Sequence, residues 1–386
     1  MTHVLTRREL LQRATAGGLV LTIGPGFLAA CGGGGDEGGS GSSKTELADT
    51  LRFSNWTYYI DVDEKTKKRP TLGAFTKRYG VDVVYTEDIN SNSEYFGKIQ
   101  GPLSRGQSID RDLIVLTDNE RYLSVMIDRG WTEKLDKDAI PNIENLVDVQ
   151  KSPGFDPDRE FSLPWQSGMT GIAYNAKLTK PVTTIEQLLE DPSLKGRMTM
   201  LDNFSDSLGV TMLANGDDPS KVTDASFDKA IDRVQAASES GHIRRFTGND
   251  YTGPLANGDL KACLAWSGDI VQLQPDNPNL KWGIPRDGGM IWTDNMLIPK
   301  GGDAHTASVY MNYVYDPKVA ALIAAYINYV TPVKGAKEEL AKTDPETANN
   351  QLIFPTEETL SQVHLIDPAA LKNQDYNERW QAVLGA

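Results

Sequence analysis

From residue 51 onward the chain alternates two hydrophobic rhythms. Leu51-Arg52-Phe53, Val81 to Tyr85 and Asp112 to Leu116 are short runs of strand length and strand composition. Between them, Thr71 to Tyr79 puts Leu72, Phe75 and Tyr79 on one helical face, and Asn119 to Asp128 reads as a further helix. A second series starts near Ser162, with strands at Ile172-Ala173-Tyr174, Arg197 to Leu201 and Lys261 to Trp266. Helices are expected around Ile185 to Leu189, Ser205 to Ala214 and Ala225 to Ser238. The strand Met290 to Ile298 and helices after Asp303 and Pro317 lead back to the first series. This alternation predicts a mainly parallel sheet with helices on both faces, in two α/β lobes. One lobe takes 51–164 plus about 296–350, the other 165–295 plus about 351–386. Sheets of this kind place ligand crevices beyond the carboxyl ends of their strands, so the cleft between the lobes is the expected site.

The first fifty residues follow neither rhythm. Residues 1–30 have a basic start with Arg7, Arg8 and Arg13, then an apolar stretch too short and too broken by Gly and Pro to span a bilayer, the pattern of an export signal. Thr6-Arg7-Arg8-Glu9-Leu10-Leu11-Gln12 resembles a twin-arginine signal, with Leu10 where Phe is commonest. Leu28-Ala29-Ala30-Cys31 resembles a bacterial lipobox and makes Cys31 the expected lipidation site, anchoring the mature protein to the cell membrane on its extracytoplasmic side. Residues 31–50 are rich in Gly, Ser and acid, as in a flexible linker.

Charge and composition narrow the function classes. Of 386 residues, 53 are acidic and 39 basic, a formal net charge of −14. Such a surface repels phosphate backbones, which excludes nucleic acid as the expected partner and favours a cation. Cys31 and Cys263 cannot form a disulfide framework or a CxxC site, and the four histidines have no metal-ligand spacing, so no metal and no cofactor is expected. HExxH, GxxxxGK[ST] and GxSxG are absent. Asp61-Val62-Asp63 opens like a calcium loop but meets Thr66 where that loop needs Gly and Leu72 where it needs Glu.

Aromatic and acidic residues instead gather at strand ends. In Ile291-Trp292-Thr293-Asp294-Asn295, Trp292 and Asp294 share one side of a strand, offering a π surface beside an anion, a combination suited to an organic cation. Asn55-Trp56-Thr57-Tyr58-Tyr59 and Ala265-Trp266-Ser267-Gly268-Asp269 end two other strands. Asp202-Asn203-Phe204-Ser205-Asp206 starts a helix, where Asp202 and Asp206 also suit an N-cap or first turn; Asp269 reads more readily as a cap than as a ligand contact.

At these residues the sequence resembles the spermidine/putrescine-binding proteins of bacterial ABC importers. The phrases are FSNWTYY (53–59), DLIV (112–115), LAWSGD (264–269), GGMIWTDNMLIP (288–299) and INYVTP (327–332). The resemblance implies a type II periplasmic binding protein fold, with two lobes closing over a polyamine between aromatic walls and acids that hold its ammonium groups. Carried over by phrase, the binding residues are Trp56, Thr57, Tyr59, Trp266, Trp292, Asp294 and Tyr329. Two family acids fall on Asn203 and Asp206, so Asp202 is expected to substitute at the first. A Ser-x-Tyr stretch becomes Thr117-Asp118-Asn119, which removes an aromatic contact and adds the charge of Asp118. The implied protein is a monomer without catalytic residues that hands its ligand to a permease driven by an ATPase. A receptor for iron or sugar, and a secreted lipoprotein hydrolase, are the competing readings.

Overall fold

A computed structural model describes residues 46–63 and 65–385; the export signal, Cys31 and most of the Gly/Ser stretch lie outside the described residues. Its strands are β1 (Thr50–Trp56), β2 (Asp82–Ile89), β3 (Leu113–Thr117), β4 (Ser162–Asn175), β5 (Met198–Leu201), β6 (Ile243–Thr247), β7 (Ala262–Trp266), β8 (Leu280–Gly283), β9 (Gly289–Leu297) and β10 (Val363–His364). They form one sheet in the order β2-β1-β3-β9-β4-β7-β5-β6, with β10 on β9 and β8 on β4.

The sheet is mixed rather than mainly parallel. Its flanks are parallel, β1 pairing with β2 and β3, and β5 with β6 and β7. Its centre is antiparallel: β4 pairs with β9, β7 and β8, and β9 with β3. The cause is the way the chain passes between the two parallel flanks. The first half of β4 lies along the part of β9 that adjoins β3, and its second half lies along β7. Strands that carry the chain directly across need no helical crossover, and antiparallel pairing follows.

Each flank has its own packing. On the first, the helix Pro70–Tyr79 starts on a proline and stops at Gly80, whose φ of 76° ends it in the left-handed region. Phe75 on its inner face meets Tyr310 of the helix Ala304–Val314 edge to face at 5.0 Å. On the second, Thr223 and Ser226 form a capping box for the helix Asp224–Glu239. Phe227 of that helix stacks on Tyr376 of the last helix, Gln374–Leu384, at 3.9 Å. The end of the expected linker is docked: Leu47 packs on the core and the Ala48 amide donates to Thr306 Oγ1 at 2.8 Å.

Among the elements not expected from the pattern, four show why it misses them. The helix Asn92–Ser104 carries two glycines and Pro102, which blur the period of its buried Tyr95, Phe96, Ile99 and Leu103. β6 is an edge strand whose Arg244 and Arg245 are exposed, so its apolar run is interrupted. The helix Ser267–Leu273 directly continues β7, and the last helix lies beyond the repeating part of the pattern. Among the described residues no helix is long and apolar enough to cross a membrane.

Candidate functional site

The carboxyl ends of the parallel strands converge on a cavity with ≈ 330 Å³ of empty space. Trp56, Thr57 and Tyr59 reach it from the end of β1, Thr117 and Asn119 from β3, Asn203 and Asp206 from β5, Asn249 from β6, and Trp266 and Asp269 from β7. Trp292 and Asp294 face it from within β9, and Tyr329 from the turn after the helix Pro317–Ile327.

Local backbone geometry sets the two tyrosines. Tyr58, with φ 59°, and Asn328, with φ 61°, each stand in the left-handed region immediately before Tyr59 and Tyr329. Asn tolerates that conformation and ends a helix with it, whereas Tyr58 is held there against about 1 kcal/mol or more of strain. Both turns bring a phenol ring inward, and the two rings meet edge to face at 5.0 Å. Trp266 and Trp292 are likewise edge to face at 6.0 Å, and Trp56 and Trp266 at 5.7 Å. A wall of this kind needs missing side chains behind it. Gly168 and Gly268 lie where a Cβ would overlap the rings of Trp292 and Tyr329.

Three carboxylates are set into this aromatic frame, each held by neutral donors. Asp294 accepts from Tyr59 Oη at 2.6 Å and Thr117 Oγ1 at 2.6 Å. Asp206 accepts from Thr170 Oγ1 at 2.8 Å and Trp266 Nε1 at 3.0 Å, with Asn119 Nδ2 at 3.4 Å. Asp269 accepts from Tyr251 Oη at 2.7 Å, Tyr329 Oη at 2.8 Å and Asn249 Nδ2 at 2.8 Å. They are 2%, 0% and 8% exposed, and none of the residues around the cavity is basic. Burial therefore dominates their titration, pushing Asp294 and Asp206 up to about 7 and raising Asp269 as well; the hydrogen bonds oppose it only in part. Asn249 Oδ1 is buried and lacks a partner, which leaves an acceptor beside Asp269.

Of the sequence-derived residues, the fold brings Trp56, Thr57, Tyr59, Thr117, Asn203, Asp206, Trp266, Trp292, Asp294 and Tyr329 to one cavity. Asp202 is not among them. Asn203, not Asp202, caps the helix Phe204–Ala214, and the Asp202 carboxylate turns instead to Ser93 Oγ at 3.4 Å. Asp118 is also directed elsewhere, since its carboxylate accepts from the Thr293 backbone amide at 2.9 Å. Asp269, which the sequence suggests as a cap, caps nothing: its helix has no side-chain cap, and the carboxylate faces the cavity. Asn119 and Asn249 were not singled out. Position two residues beyond the end of β3, where the tyrosine of the family's Ser-x-Tyr stretch falls, was the available signal for Asn119, whereas Asn249 follows a strand the pattern did not reveal.

Among the described residues no group of three or more His, Cys, Asp or Glu is placed to hold a metal ion. The described histidines for which a hydrogen bond is seen are engaged away from the cavity, His242 with the Leu188 carbonyl and His305 with Asp136.

The chain is similar to known proteins along most of its length. The family described as bacterial extracellular solute-binding protein matches residues 72–355. The spermidine/putrescine-binding periplasmic protein of Escherichia coli strain K12 is 25% identical over 348 residues, 89% of this chain and 94% of that protein. The putrescine-binding periplasmic protein PotF of the same organism is 27% identical over 331 residues, covering 79% and 83%. Among solved structures, the Tp0655 (TpPotD) lipoprotein of Treponema pallidum superposes with a TM-score of 0.70 at 24% identity, over 88% of this chain and 100% of that one.

Proposed function

The chain belongs to the bacterial extracellular solute-binding proteins, which are receptors and not enzymes, and from that premise we propose that it captures spermidine or putrescine outside the cytoplasmic membrane for an ABC permease and its ATPase. The observation that carries this reading is the set of Asp206, Asp269 and Asp294, buried around one cavity with no basic residue beside them. Ionised carboxylates in such a place cost several kcal/mol each unless paired. Ammonium groups on a flexible chain neutralise them, the indole and phenol faces attract the same cations, and the rings cover the methylenes between. The names of the Escherichia coli relatives point the same way.

The competing ligands fit less well. A neutral sugar leaves the carboxylates uncompensated. Iron bound through phenolates needs tyrosines that ionise readily, whereas burial and the neighbouring carboxylates hold Tyr59, Tyr251 and Tyr329 well above their ordinary value. We also read the protein as a monomer tethered through a lipid on Cys31.

Calorimetric titration of the purified protein with putrescine, spermidine and spermine tests the reading, with sucrose and ferric citrate as controls. Saturable binding of at least one amine and of neither control is expected. Binding of sucrose or ferric citrate alone would overturn it.

A further inference from the structure

β2 and β6 are the two ends of the main strand path, yet the segments that follow them touch. The Asn249 amide donates to the Asn90 carbonyl at 3.2 Å. Gly248 packs so closely on the same peptide that a Cβ would overlap the Asn90 carbonyl oxygen and lie 2.9 Å from its carbon. The φ of Gly248 is −87°, so it is the approach of Asn90 that requires a glycine there. Alongside, the Asp202 carboxylate meets Ser93 Oγ at 3.4 Å while Trp380 Nε1 holds the Asp202 carbonyl at 2.9 Å. Deeper in, the Ser205 hydroxyl donates to the Asn119 carbonyl. The contacts of Asn90, Ser93 and Asn119 join the β1-β2-β3 flank to the β5-β6-β7 flank, and Trp380 braces Asp202 from within the second. Asn90, Ser93, Asp202 and Gly248 do not border the cavity.

We infer that this seam, centred on Gly248 against Asn90 and Asp202 against Ser93, is a latch between the lobes that sets the affinity for every ligand without choosing among them. The latch requires the two lobes expected from the sequence, hinging over the cavity. When only the closed form binds tightly, apparent affinity scales with the closed fraction. A latch residue that touches no ligand therefore changes all affinities by one factor, whereas a cavity residue changes each by its own amount. Gly248 and Asp202 are thus positioning residues.

The test is Gly248→Ala in the full chain, titrated with spermidine and putrescine, with Ser93→Ala as a second, milder variant on the opposite side of the seam. Both amines should weaken by a common factor, about 5- to 150-fold for Gly248→Ala, the range to which overpacking strain converts, and by a smaller common factor for Ser93→Ala. Without ligand the radius of gyration should rise in Gly248→Ala, saturating spermidine should restore the wild-type value, and thermal melting should show the ligand-free variant folded. Losses that differ between the two amines by more than threefold, or wild-type affinity in both variants, overturn the latch. The inference draws on the amine reading only for its probes. If the wild-type protein binds neither amine, that reading fails, and exchange of the Asn249 amide without ligand decides the latch: faster exchange in Gly248→Ala supports it, equal exchange overturns it.

Discussion

Asp294 is held by two hydroxyl donors and faces no cation among the residues of its cavity. If an ammonium pairs with it there, Asp294→Asn breaks a buried ion pair at about 3 to 5 kcal/mol, a 150-fold to several-thousand-fold loss of amine affinity. Trp292→Leu removes only a cation-π contribution of about 0.5 to 2 kcal/mol and keeps apolar cover, so its loss should stay below about 30-fold. Titration of both variants, once melting shows them folded, checks the order; a reversed order means that stacking and not charge selects the ligand. Titration behaviour gives a second prediction. Burial raises Asp206 and Asp294 to about 7, so between about pH 4 and 7 the native chain binds more protons than the unfolded one. Stability without ligand should therefore fall as pH rises through that window, the reverse of the usual carboxylate case. A bound ammonium draws these pKa values back down, so amine binding should release protons and tighten from pH 5 to 8. Calorimetry in two buffers of different ionisation enthalpy measures the release; pH-independent binding would contradict the pairing. At this scale the sequence showed residue types and strand-end positions well enough to place ten of eleven proposed contacts around one cavity. Asp202 lies outside that cavity, because Asn203 caps the helix Phe204–Ala214 and the Asp202 carboxylate turns to Ser93.

The elements position the site through close approaches that sequence patterns do not display. Gly268, in the helix Ser267–Leu273, leaves room for the Tyr329 ring, whose hydroxyl holds Asp269. Gly268→Ala should destabilise the protein by about 1 to 3 kcal/mol through overpacking and weaken amine binding as Tyr329 leaves Asp269. Gly97, exposed in the helix Asn92–Ser104 with open space at its Cβ position, is the control, and Gly97→Ala should stabilise by about 0.4 to 1 kcal/mol. Thermal melting of the two variants reads both effects; equal shifts would mean that the ring contact carries no strain. Strands with uninterrupted apolar runs, β3 and β7, were legible because burial on both faces selects such runs. β6 was not, since two consecutive exposed arginines, Arg244 and Arg245, break its apolar run at the sheet edge.

For the whole molecule, the proposed anchor is tested at Cys31. Cys31→Ser should abolish lipid labelling and leave the precursor unprocessed or mislocalised, and labelling that persists would end the lipoprotein reading. Sequence alone determined what depends on local order and composition: the alternation of strands and helices, the net negative charge, and the phrases in which tryptophans and acids stand at strand ends. Strand direction at the centre of the sheet was a tertiary decision. β4 and β9 are antiparallel because they carry the chain straight across between two parallel flanks, and no residue within either strand states which neighbour it will meet. The convergence of Asp206, Asp269 and Asp294 was decided in the same way. Their positions are 88 residues apart at the extremes, and only the curl of the sheet places them around one cavity, where burial changes how they titrate. Propensity and periodicity act over a few residues; the electrostatics of this site comes from contacts made across the whole chain.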